Sequence, residues 1–132
     1  GGRCAEPAEL LDLAPPLAEL CGLPGHAAWE GLSLRPQLRD AATPRERPAI
    51  TTHNVGNHAV RSTTHRYIRY ADGSEEFYDL SVDPHEWTNL AGRPEHAEAM
   101  AAHRRRLPAT EAAPVPGNAH RLLVRDGDRW LW

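Results

Sequence analysis

The sequence predicts an α+β domain, a small antiparallel sheet of about four strands with a C-terminal helix packed on it. Three observations lead there. Short strand-like runs recur between residues 49 and 80, divided by glycine, asparagine and aspartate. Asp72-Gly73 between two of them is a hairpin turn signal. A segment with helical periodicity then opens on a proline, a residue suited to the first turn of a helix. A chain of 132 residues has room for one domain with a modest core.

Taken in order, Leu10 and Leu11 lead into Asp12, which is expected to cap a helix carrying Leu13, Leu17, Leu20 and Cys21 on one face. Pro15 and Pro16 fall in its first turn, where a missing N–H costs least. Gly22 can close it in the left-handed conformation, and Pro24 prevents continuation. Ser33 is expected to cap a short turn carrying Leu34 and Leu38, and Ala41 to Pro48 reads as a surface connection. The expected strands are Ala49–His53, Ala59–Ser62, Arg66–Tyr70 and Glu76–Leu80, with Asn54, Gly56 and Asn57 forming a loop after the first. Asp83-Pro84 opens a further turn. A helix is predicted from Glu95 to Leu107, its acidic start and arginine-rich end matching the helix dipole. Residues 108–116 read as a Pro/Ala linker, and HRLLVRDGDRWLW as a terminal hairpin about Asp126-Gly127 with Leu123, Trp130 and Trp132 as its apolar part. The organisation is therefore a connecting helix and loop over 1–48, the sheet and helix over 49–107, and a linker with hairpin over 108–132.

Composition narrows the function. A charged fraction of 25% and an apolar fraction of 40% suit a soluble globular protein, and a net charge of −3 gives no reason to expect a nucleic-acid partner. No apolar run reaches the roughly 20 residues that span a bilayer, so no membrane partner is expected. All 15 basic residues are arginine, which excludes a Schiff-base lysine within this chain. Cys4 and Cys21 form neither a metal-ligand pair nor a redox motif, and a disulfide between them stays open. The first residues lack a signal-peptide hydrophobic region and an initiator methionine, so the chain is expected to be a fragment or a truncated gene product; methionine removal is the simpler alternative.

One polar cluster has functional promise. His53, Asn57, His58 and Arg61 surround the loop at Gly56, where a missing side chain allows close backbone approach. They can bind a substrate; alternatively the loop is only a turn and His58 caps it. The spacing of His53 and His58 suits neither zinc nor a hard cation, so no metal ligand is assigned. Arg61, Arg66 and Arg69 can form a basic stripe for sulfate or carboxylate groups, or a solvated sheet face paired with Glu75 and Glu76. Tyr67, Phe77 and Tyr78 read as core. Trp87 is expected to anchor the closing loop onto the helix, Asp83 and Asn89 to form turns, and Arg104 to Arg106 to be a helix end in water.

LLDLAPPLAELCGLP at Leu10 to Pro24 resembles a sulfatase pattern in which a strand enters a helix through Asp-Leu-x-Pro-Thr-Leu, with Pro16 here replacing the threonine. GLSL at Gly31 to Leu34 is similar to the G-x-S-L that follows in that family. GNHAVR at Gly56 to Arg61 and RYIRYADGSEEFYDLSVDPHEWTNL at Arg66 to Leu90 resemble the carboxyl-terminal subdomain of iduronate-sulfatase-like enzymes. The resemblance covers about Glu9 to Arg106 and implies an alkaline-phosphatase-like α/β sulfatase fold, of which this chain is the C-terminal subdomain. It also implies a catalytic domain as partner, carrying calcium and a formylglycine made from C/S-x-P-S-R, and a sulfate ester or sulfated sugar as substrate. Neither CAEP around Cys4 nor CGLPG around Cys21 fits that motif, so the catalytic residues are expected outside this chain. A non-catalytic module that binds sulfated glycans, or an inactive structural fragment, is the alternative. Many relatives are exported, to the periplasm or beyond, and the compartment stays open. His120, Trp130 and Trp132 lie outside the resemblance.

Overall fold

The computed structural model of the chain describes residues 2–113 and 124–131. Its centre is a four-stranded antiparallel sheet in sequential order: β1 (Ala49–Thr52), β2 (His58–Arg61), β3 (His65–Arg69) and β4 (Glu75–Asp79). The last three lie one residue N-terminal to the positions expected from sequence, within the ordinary uncertainty of strand ends. Register aligns Ile50 with Val60, Val60 with Tyr67 and Tyr67 with Phe77, giving a row of large side chains straight across the sheet. A one-residue slip would turn that row to the other face, so the pattern fixes the pairing.

Helix α3 (Ala97–Arg104), entered through a short 3-10 turn at Pro94–His96, packs Met100 against Val60, Tyr67 and Phe77. Ile50, Leu90, Ala91, Ala99 and Leu107 close the rim of this core. Burial of each large apolar side chain contributes about 1.5–3 kcal/mol. The free edge of β4 is covered by the closing loop. Leu90 N–H donates to the Phe77 carbonyl at 2.8 Å, while the Asn89 carboxamide accepts from Phe77 N–H at 3.0 Å and donates to the Glu75 carbonyl at 3.3 Å. Trp87 does not anchor that loop; it is 84% exposed. The polar groups of Asn89 and the Asp83 carboxylate, which accepts from Thr88 N–H at 2.8 Å, hold the loop instead.

Arg104 also departs from expectation. Its guanidinium donates twice to Glu75, at 3.0 and 2.7 Å, and Tyr67 donates its hydroxyl to the same carboxylate. Burial raises the Tyr67 pKa, reinforced by Glu75. The helix end is thus tied to the sheet, and Glu75 pairs with the helix rather than with the strand arginines.

Before the sheet lies an arm: a 3-10 turn at Leu10–Leu13, helix α1 (Ala14–Leu20) and the short helix α2 (Arg35–Arg39). Gly22 closes α1 at φ 67°, with Leu23 N–H donating to the Ala18 carbonyl at 2.8 Å. Asp12 does not cap α1 itself; it is the N3 partner of a capping box with Glu9 on the 3-10 turn that leads into that helix. It is fully buried and accepts from Glu9 N–H and Leu32 N–H, both at 2.8 Å, and from Arg45 at 2.6 Å, with Arg47 at 3.5 Å. Burial alone would raise its carboxyl pKa; the two N–H groups and the two guanidiniums outweigh that and hold it below 3.8. Gly31 makes the approach feasible, since a Cβ there would sit 1.9 Å from the Leu11 carbonyl oxygen. The connection over 41–48 is therefore not wholly at the surface, because the Arg45 side chain is only 3% exposed. Glu9 joins arm to sheet by accepting from Ile50 N–H at 3.0 Å.

While Asp12, Pro16 and Ala18 face inward, Leu10, Leu11, Leu13, Leu17, Leu20 and Leu23 are all exposed. Strands β5 (Val124–Asp126) and β6 (Arg129–Leu131) form the expected separate hairpin with Gly127 at φ 58°. Leu123, Trp132 and His120, and the side chain of Trp130, lie outside the described residues.

Candidate functional site

The β1–β2 connection begins with His53 N–H donating to the Asn57 carbonyl at 3.0 Å, which narrows the loop to its neck. Asn54 and Gly56 both take left-handed conformations, φ 57° and 81°. Gly56 must stay small for a second reason: a Cβ there would meet the Ala71 side chain at 2.9 Å. Asn57 fastens the same two turns together. Its side-chain oxygen accepts from Ala71 N–H at 3.2 Å, and its amide nitrogen donates to the Val55 carbonyl at 3.2 Å. The loop tip is thus held against the β3–β4 turn.

The four residues singled out from sequence do not converge. Side chains alternate along a strand, so His58 shares the α3-covered face with Val60, whereas Arg61 lies on the opposite face. His53 is exposed beside Asn54, 3.3 Å from its amide. Arg61 reaches Glu86 at 3.7 Å, and Arg66 donates to the same carboxylate at 2.9 Å. That pair, with Glu86 from the closing loop, occupies the face away from the helix. Arg69 sits instead in the row of His58 and Glu75, so the three arginines form no single stripe.

His58 is the buried member, at 2% exposure. Its Nδ1 lies 2.9 Å from the Thr52 hydroxyl, and its Nε2 lies 3.0 Å from Glu111 Oε1. A carboxylate only accepts, so the Nε2 carries the proton and, in the neutral ring, the Thr52 hydroxyl donates to Nδ1. The other oxygen of Glu111 accepts from Gly56 N–H at 2.7 Å. Its hydrogen bond to His58, then that from Gly56, holds the Glu111 carboxyl below its usual range. Sequence reasoning missed Glu111 altogether, because a lone acid in a Pro/Ala stretch gives no local signal; only the fold brings it back across more than fifty residues.

Surface clefts lie elsewhere. One of about 250 Å³ runs between the arm and α3, lined by Glu6, Arg47, Ser62, Thr63, His103 and Arg106. His103 bridges the Ala99 carbonyl at 2.8 Å and the Ser62 hydroxyl at 3.0 Å, and burial lowers its pKa. Among the described residues, no three His, Cys, Asp or Glu side chains gather to hold a metal ion, and both cysteines are exposed free thiols. The donor set does not fit calcium, and neither thiol stands in a formylglycine motif. No helix of the described residues is long and apolar enough to cross a membrane.

No family model matches the chain. It is 39% identical over 112 residues to a sulfatase of Formosa agariphila, which covers 85% of this chain and 22% of that protein. To the Delta 4,5-hexuronate-2-O-sulfatase of Bacteroides thetaiotaomicron it is 33% identical over 103 residues, 71% of this chain and 21% of the relative. The crystal structure of a putative sulfatase from the same Bacteroides species superposes with a TM-score of 0.59 at 31% identity, over 71% of this chain and 22% of the other. The chain thus spans about a fifth of the length of the relatives it matches.

Proposed function

We propose that this chain, which belongs to the sulfatase family and has the fold of its C-terminal subdomain, completes the substrate cleft of a sulfuric ester hydrolase whose catalytic residues lie in another part of the protein. One observation carries the reading. The arm is ordered by a buried ion pair yet turns Leu10, Leu11, Leu13, Leu17, Leu20 and Leu23 outward. An ordered apolar face of that kind needs a partner. The occupant is the catalytic part of the sulfatase, which would also hold the calcium and formylglycine. Residues 1–48 then connect the two parts, 49–107 form the subdomain proper, and 108–132 extend beyond it.

The substrate is a sulfate ester, and a sulfated sugar is the preferred class, in keeping with the hexuronate 2-O-sulfatase among the relatives. His53, Asn57, His58 and Arg61 enter unequally. His53 on the exposed loop is the direct contact to a substrate oxygen, whereas Asn57 and His58 shape the loop, and Arg61 acts from the opposite face. The test is hydrolysis of a chromogenic aryl sulfate by the purified chain with calcium present. The expected result is no turnover. Turnover that survives repurification and replacement of both cysteines would overturn the assignment. Binding of a sulfated disaccharide by the isolated chain, without turnover, would favour the non-catalytic glycan-binding module.

A further inference from the structure

We propose that Glu111 is a positioning residue, a latch by which the segment after α3 fixes the loop between β1 and β2 in the shape it presents to substrate; the second half of that statement rests on the function proposed above. The geometry is two-pronged. One carboxylate oxygen takes the Gly56 N–H at 2.7 Å and the other takes His58 Nε2 at 3.0 Å, so a single side chain grips both the turn and the strand that follows it. Gly56 sits at φ 81°, a conformation open to glycine, so what Glu111 supplies is an acceptor for its N–H and not relief of strain. His58 is buried, and its second nitrogen is already engaged by Thr52, so the ring cannot swing to water to satisfy Nε2 without leaving its pocket. A charged acceptor makes both hydrogen bonds stronger than neutral ones. His53 stands at the neck of the same loop, its N–H closing on the Asn57 carbonyl. The direction in which His53 points therefore depends on a residue far away in sequence.

Glu111 is distinct from an ordinary surface ion pair in what its loss would change. Removing it leaves the β3–β4 hairpin and the α3 contact intact, since neither uses it. The consequence falls on the loop. Glutamine retains one acceptor oxygen and can satisfy one of the two donors; alanine satisfies neither.

The experiment compares the 132-residue chain with its Glu111→Ala and Glu111→Gln variants by amide hydrogen exchange. The expected result is exchange at Gly56 faster by roughly tenfold or more in the alanine variant, with an intermediate rate for glutamine and unchanged rates at Tyr67 and Phe77. Equal Gly56 exchange in all three overturns the latch while leaving the proposed function untouched. A second arm assembles each chain with the catalytic part of the Formosa agariphila relative and measures sulfate ester turnover. The alanine variant should raise KM severalfold with kcat nearly unchanged, and Glu111→Asp should recover part of it. Unchanged KM despite faster Gly56 exchange would reduce Glu111 to a structural tie and overturn the positioning role. Wild-type assemblies without turnover would strike the proposed function itself, with the exchange result still deciding the latch.

Discussion

The sheet with its helix and the arm before it solve the same problem in opposite ways. In the sheet, Val60, Tyr67, Phe77 and Met100 bury one another, and polar groups such as Glu75 and Arg104 sit at the margin. In the arm the arrangement is inverted: a charged pair, Asp12 and Arg45, occupies the interior while leucines line the outside. The sheet is a body that closes on itself. The arm is ordered by its polar interior and leaves its leucines uncovered, which is what the proposed function requires of it.

Substitutions should separate the two regions. Phe77→Ala opens a cavity in the sheet and should cost about 3–5 kcal/mol, read as a fall in the urea midpoint of the whole chain. Equal loss from an exposed arm leucine would erase the distinction. Asp12→Ala strands Arg45 as an uncompensated buried charge, with an expected cost of about 3 kcal/mol confined to the arm. Limited proteolysis should then cut between residues 9 and 45 while Tyr67 and Phe77 amides stay protected. The same clamp has a pH signature. Because the folded Asp12 carboxyl is held below 3.8, its stabilisation is fully present above that value and disappears as pH falls through the lower folded value. The arm should loosen in that acid range, as amide exchange at Leu32 would record.

Smaller effects sharpen the picture. Arg104→Ala removes a partly exposed ion pair and should cost below about 1 kcal/mol in thermal unfolding, since water screens half of that guanidinium. Trp87→Ala should leave stability within about 0.5 kcal/mol, because the ring is exposed. A loss comparable with Phe77→Ala would restore Trp87 as the anchor of its loop.

The sheet was legible because its signals are local: Asp72-Gly73 for the hairpin, alternation for the strands, Pro94 for the helix start. Tyr67, Phe77 and Tyr78 were expected as core and are buried. The size of Trp87 suggests an anchor, but Asn89 closes the sheet edge instead, with main-chain-like hydrogen bonds. Asp12 looked like a helix cap because capping is the nearest use for an acid before a helix; its partners Leu32, Arg45 and Arg47 lie far along the chain. Glu111 was invisible for the same reason. The strand alternation that places His58 and Arg61 on opposite faces, by contrast, could have been counted from the sequence, and it separates residues that proximity along the chain had grouped.

The role proposed for the outward leucines, reception of a catalytic partner, is measured most directly by mixing the purified chain with the catalytic part of the Formosa agariphila sulfatase, prepared without its matching segment, and following aryl sulfate hydrolysis with calcium. The expected result is turnover from the mixture but from neither component alone, abolished by Leu17→Glu without loss of the chain's own fold. Turnover that ignores Leu17→Glu, or a mixture no more active than its parts, would contradict it.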